Sequence, residues 1–157
     1  AQVAASDRGR DLAVLRIDGE PLPVLTLAGA DNVREGQDIA FTGFPIGNAL
    51  GFSPVTHRGI IAAITPIGIP QASSRDLNPA LIRRLGGDRF EIYQLDATAY
   101  PGNSGSPVYD PGSGEVIGIV NMVFVKSTKE SVLSDPSGIS YAIPVSYLRA
   151  MLASLRN

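Results

Sequence analysis

Cysteine and tryptophan are absent from this 157-residue chain, and histidine occurs once. Without cysteine there are no disulfides and no thiolate metal sites, and the redox compartment stays undetermined. No acidic or histidine cluster has metal-ligand spacing, so neither a metal nor another cofactor is expected. No apolar run reaches the roughly 18 residues of a membrane-spanning helix, and no signal-peptide pattern opens the chain. Charge of either sign is scarce. Thirteen Lys and Arg face 15 Asp and Glu for a net charge of −2, and the basic residues are dispersed, which argues against a nucleic-acid partner. A short pair such as Arg83-Arg84 reads as a solvated helix face.

What the chain does have is punctuation. Seventeen glycines and 12 prolines separate short runs of strand character at Leu12 to Ile17, Asp38 to Phe44, Val55 to Thr65, Phe90 to Asp96, Ser106 to Tyr109, Glu115 to Val125 and Ile139 to Ile143. Many short strands between Gly/Pro turns indicate an all-β sandwich or barrel. Val145 to Leu155 differs, with Val145, Leu148, Met151, Leu152 and Leu155 at helical spacing behind Pro144. Gln71 to Asp88 reads as a surface loop with a short helix around Asn78 to Leu85, between a proline and a glycine. Lys126 to Pro136 reads as a second, polar loop. A chain of this length, 44% hydrophobic, makes one domain burying roughly two-thirds of its unfolded surface.

The densest information lies in Tyr100-Pro101-Gly102-Asn103-Ser104-Gly105-Ser106-Pro107-Val108. Gly102 and Gly105 lack Cβ, so the backbone around Ser104 can take positive φ and approach a substrate closely. Successive N–H groups in such a turn can converge on an anion, as the oxyanion of an acyl-transfer intermediate requires. Composition alone also fits an ordinary turn between strands. The α/β-hydrolase arrangement is excluded. There the serine sits in G-x-S-x-G before a helix, whereas here Ser106 takes the second glycine position and another strand follows.

Three further segments extend the pattern. Asp11-Leu12-Ala13-Val14-Leu15-Arg16-Ile17 resembles the strand that begins at the catalytic aspartate of trypsin-like serine proteases. Gly114-Glu115-Val116-Ile117-Gly118-Ile119-Val120 resembles the strand after their serine turn, and Gly138-Ile139-Ser140-Tyr141-Ala142-Ile143-Pro144 resembles the close of the bacterial HtrA/Deg-type protease domain. The resemblance runs from Asp11 to about Leu155. It implies a chymotrypsin-like double β-barrel and an endopeptidase that cleaves peptide bonds through an acyl-enzyme. It implies Ser104 as nucleophile, Asp11 as the carboxylate orienting a histidine, and the Gly102-Asn103-Ser104 turn as oxyanion hole, through the N–H groups of Gly102 and Ser104. Asn121, Met122 and Val123 then match the edge that pairs with an extended substrate. Ile119, Ile139 and Tyr141 match the wall of the specificity pocket, although as residue types these three are ordinary core. An extracytoplasmic location is implied in the same way.

The general base is the departure. A serine–histidine–aspartate mechanism needs an imidazole to take and return the serine proton. His57 is downstream of Asp11, whereas the family histidine precedes it. His57 is therefore expected to be a partly exposed strand or loop residue. Only ten residues precede Asp11, so the expectation is an N-terminally incomplete domain, inactive as given. Its expected parts are residues 1–50 as the remainder of the first barrel, 51–143 as the second barrel and 144–157 as a terminal helix. The open first barrel would then pair with a second copy or be covered by Ala1 to Arg10. Ser106 and Tyr100 stand where HtrA-type sequences usually have glycine and asparagine, which leaves substrate preference open. The reading from another class is a non-catalytic module of the same fold that binds extended peptides or partner proteins.

Overall fold

The structure, a computed structural model, describes residues 1–29, 32–45, 53–66, 90–100, 102–121 and 139–156. The expected loop helix at Asn78 to Leu85, the loop Lys126 to Pro136, and Met122 and Val123 lie outside them. Eight strands and one helix are present: β1 (Gln2–Asp7), β2 (Leu12–Arg16), β3 (Asp38–Gly43), β4 (Val55–Pro66), β5 (Glu91–Asp96), β6 (Pro107–Tyr109), β7 (Val116–Asn121), β8 (Ile139–Pro144) and α1 (Val145–Ser154).

Six of the strands close a barrel in the order β3-β4-β5-β8-β7-β6, and β1 and β2 form a separate two-stranded hairpin. Every pairing of named strands is antiparallel. Alternation along the strands fills the barrel: Ile39, Phe41, Ile61, Leu95, Val108 and Val120 are all but inaccessible to solvent. At about 25 cal/mol per Å² of apolar surface, such a closed core is the dominant stabilising term. Closure also leaves the six barrel strands no free edge.

Asp38–Gly43 departs from expectation. The sequence reading places it in the remainder of the first barrel, whereas it pairs with β4 through Phe41↔His57 and with β6 through Phe41↔Val108. Its three consecutive buried residues, Ile39, Ala40 and Phe41, suit a strand covered on both sides rather than a half-open sheet. Among the described residues of this stretch, β1 and β2 pair only with each other while β3 belongs to the six-stranded barrel. β1 is a strand for which the sequence showed no pattern, but it falls within Ala1 to Arg10, the segment offered as a cover for the open first barrel. It covers one edge of β2 over Gln2↔Arg16 to Asp7↔Leu12, with an irregularity between Val3 and Ala5.

The connection from the hairpin to the barrel runs along the barrel wall. Leu27 bridges Val116 in parallel, the Ala28 N–H donates to the Val116 carbonyl at 2.9 Å, and Arg149 of α1 donates to the Ala28 carbonyl at 2.5 Å. The expected turn between β6 and β7 is held by the Asp110 carboxylate, which accepts the Gly112 and Ser113 N–H groups at 2.7 and 3.0 Å. Helix α1 follows Pro144 directly and buries Val145.

Candidate active site

The serine turn lies between β5 and β6. Gly102 and Gly105 take φ of 101° and 85°, backbone states that cost L side chains dearly and glycine nothing. Inside the turn the N–H groups divide into two sets. Asn103 donates to the Tyr100 carbonyl, Gly105 to the Val120 carbonyl and Ser106 to the Asn103 carbonyl, at 3.0, 2.8 and 3.0 Å. Those of Gly102 and Ser104 make no hydrogen bond to any described residue. Ser104 itself is exposed.

Beneath the turn, the Asn103 side chain is fully buried, and neither its Nδ2 nor its Oδ1 has a partner among the described residues. Gly43 at the end of β3 makes room for it. A Cβ there would lie 2.3 Å from Ser106 Oγ and 2.6 Å from Asn103 Oδ1, so any larger residue would push the turn outward. Ser140 of β8 fastens the approach to the turn: its Oγ donates to the Ala97 carbonyl at 2.8 Å and accepts the Ala99 N–H at 3.0 Å.

Asp11 closes the turn of the β1–β2 hairpin with φ of 56°, the one non-glycine residue at positive φ among those described. Aspartate tolerates this region better than most residues. Its Oδ2 accepts a long hydrogen bond, 3.4 Å, from Asn121 Nδ2 at the end of β7. A cavity of about 370 Å³ opens between hairpin and turn, lined by Asp11, Leu12, Ser104, Gly105, Ile119, Val120, Asn121 and Ile143. The fold therefore brings Asp11 and Ser104, 93 positions apart in sequence, to one cavity.

Ile119 and Asn121 line that cavity as well, whereas Tyr141 is packed at the edge of the Leu12, Ile92, Ile143 cluster. Ile139 is described as backbone in β8 only. Sequence reasoning placed Asn121 by its backbone and missed its side chain's link to Asp11. It also missed Leu12, Ile143 and Gly43, whose roles depend on pairings that no local pattern reveals.

His57 does not line the cavity. It lies on β4, half-buried, with its ring stacked on Phe41 at 4.9 Å and tilted against Tyr100 at 5.9 Å. Its Nε2 is buried without a partner among the described residues, and burial lowers its pKa. No group of residues able to hold a metal ion occurs among the described residues.

Comparison with known proteins gives this geometry a family. The family model described as "Trypsin-like peptidase domain" matches residues 1–119. A Halomonas elongata protein described as "Probable periplasmic serine endoprotease DegP-like" is 33% identical over 157 residues, all of this chain and 27% of its own length. A solved HtrA-type protease, AlgW with a tripeptide, superposes with a TM-score of 0.67 at 32% identity, over 98% of this chain and 43% of that one. The active form of the Rv3671c protease from M. tuberculosis shares the fold, with a TM-score of 0.69 at 20% identity over 98% of this chain and 57% of that one. The chain spans about a quarter of the length of the first curated relatives it matches.

Proposed function

The chain belongs to the trypsin-like peptidase family, as a serine protease domain of the HtrA/DegP type, and from that premise we propose that Ser104 is the nucleophile of an endopeptidase. The observation that carries the reading is the shared cavity of Asp11 and Ser104, beside a turn whose Gly102 and Ser104 N–H groups are uncommitted among the described residues. In this reading the Ser104 hydroxyl adds to a peptide carbonyl. The two N–H groups bind the oxyanion that forms, an interaction that strengthens as charge develops. Collapse of the tetrahedral intermediate expels the amine and leaves an acyl-enzyme, which water then cleaves.

Two proton transfers are needed, from Ser104 and to the leaving amine. An imidazole seated in the cavity would take its orientation from the Asp11 carboxylate, itself steadied by Asn121. His57 is not a lining residue of that cavity, so this chain on its own is expected to work without a positioned base. Peptide is the substrate class, bound extended at Asn121, which lies past the last register pair of β7 with β6 at Ile119, with Met122 and Val123 continuing the contact by the family resemblance. Ile119, Ile139 and Tyr141 are proposed as the apolar wall that favours small or apolar side chains before the scissile bond. The AlgW structures with tripeptide and decapeptide support a peptide ligand, and the periplasmic description of relatives supports an extracytoplasmic setting.

The test is hydrolysis of casein and short peptides by the chain with and without millimolar imidazole, beside Ser104→Ala and Asp11→Asn. The expected result is slow hydrolysis alone, at most about 10³–10⁴ over water from oxyanion binding. Imidazole should raise it in the wild type, little in Asp11→Asn and not in Ser104→Ala. Rates typical of proteases without imidazole would mean that another base serves Ser104. Peptide binding with no Ser104-dependent hydrolysis under any condition would favour the non-catalytic module.

A further inference from the structure

Asp11 has a weak tether on its carboxylate side. The bond from Asn121 is 3.4 Å long, beyond the usual range for an N–H to oxygen bond. Its hairpin is only two strands wide, an architecture of marginal stability by itself. Leu12 anchors the following side of the turn in the cluster with Ile92 and Ile143, and on the other side the residue preceding Asp11 has the chemistry to do the same.

Arg10 Nη1 donates to Asp7 Oδ2 at 2.6 Å, while the Arg10 and Gly9 N–H groups donate to Asp7 Oδ1 at 3.1 and 2.9 Å. These contacts fold the hairpin turn around one carboxylate. The guanidinium also reaches the barrel. Its central carbon lies 4.5 Å from the Tyr147 ring centroid on α1 and 5.4 Å from that of Phe90, just before β5, within the range of cation–π attraction. The two rings meet edge to face at 5.7 Å, and the Tyr147 hydroxyl accepts the Glu91 N–H at 3.2 Å. Arg10 thus joins three elements distant in sequence.

Its electrostatics agree. Partial burial would raise the Asp7 carboxyl, but the hydrogen bonds from the Arg10 guanidinium and N–H, the Arg10 charge and the Gly9 N–H together bring it below the ordinary carboxylate range. The cation is therefore matched by Asp7, and Arg10 does not line the cavity. Its influence on Asp11 runs through the backbone they share.

We propose that Arg10 is a positioning residue, clamped between Asp7 and the Phe90–Tyr147 ring pair, that sets where Asp11 stands relative to Ser104. The catalytic consequence rests on the protease reading above; the structural consequence does not. A planar, delocalised cation suits this clamp, because it can pair with a carboxylate and lie against aromatic faces together.

Two measurements on the chain separate these levels. The first is the NMR spectrum of Arg10→Met and Arg10→Lys, read at the Asn121 side-chain amide and the Asp11 backbone amide, with Asp11→Asn as reference. Arg10→Met should move the Asn121 resonances toward those of Asp11→Asn and broaden the Asp11 amide, with β3 to β8 amides unchanged. Arg10→Lys, which keeps the charge and loses the plane, should fall between. Unchanged Asn121 and Asp11 signals in Arg10→Met would overturn the proposal, and so would equal displacement of the barrel amides in the milder Arg10→Lys. The second is imidazole-assisted peptide hydrolysis. A catalytic group misplaced by an ångström can lose about 10²-fold, so kcat should fall by up to that factor in Arg10→Met, with KM unchanged and partial recovery in Arg10→Lys. An unchanged kcat, or a rise in KM that accounts for the loss, would overturn the catalytic part. If the wild type shows no Ser104-dependent hydrolysis, the protease reading fails and the NMR result alone decides the role of Arg10.

Discussion

His57 carries the chain's one imidazole into the space between Phe41 and Tyr100, where burial disfavours its charged form. A histidine in the unfolded chain titrates near 6.5, and in the fold it titrates lower. Between those two values the unfolded chain binds a proton that the folded chain does not. Stability from this residue is therefore lost as pH falls through about 6.5 and levels off below the folded value. Urea unfolding of wild type and His57→Phe between pH 5 and 8 checks this. The free-energy difference between them should be flat above pH 7 and shift toward the variant on acidification; a constant difference throughout would contradict it. At this scale the sequence was legible where chemistry is local. The glycines around Ser104 do adopt positive φ, whereas Asp11 was marked only by its likeness to a known strand, its proximity to Ser104 being long-range. Arg10 against Phe90 and Tyr147, or Asn121 against Asp11, joins residues with no common periodicity, so nothing in a one-dimensional reading marks them.

The two kinds of sheet differ in how they are held. Barrel strands have hydrogen-bonded neighbours on both sides, whereas β1 and β2 have only each other and reach the rest of the molecule mainly through Leu12, Arg10 and Asp11. Local opening should follow that division. In hydrogen exchange, amides of Gln2–Asp7 and Leu12–Arg16 should lose protection well before those of β5 and β8; equal protection would mean that the hairpin is integral to the barrel's cooperative unit. Strand positions were largely legible, since alternation and Gly/Pro boundaries are local. Barrel membership was not. Asp38–Gly43 is fixed by Val108 and Tyr109 of β6 as much as by β4, and β1, with Gln2, Ser6 and Asp7 among its six residues, has too weak an apolar pattern to announce itself.

Across the molecule, apolar side chains gather where the hairpin and its connection to the barrel face solvent. Val3, Leu15, Ile17, Leu22, Val24 and Leu25 are each more than half exposed, Val24 at 90%. Exposed apolar side chains in this number favour association when they can be covered together. Sedimentation of the chain should show mass rising with concentration through the micromolar range, and Leu15→Lys should lessen it; a strictly monomeric species at high micromolar concentration would contradict this. The claim on which the functional account turns is that Ser104 is an activated nucleophile served by Asp11. It is tested most directly by treating the chain with a fluorophosphonate in millimolar imidazole and mapping the adduct by peptide mass spectrometry. The expected result is one adduct per chain, on Ser104, absent in Ser104→Ala and strongly reduced in Asp11→Asn. No adduct on Ser104, or equal labelling of other serines, under conditions that modify an active serine protease, would contradict it.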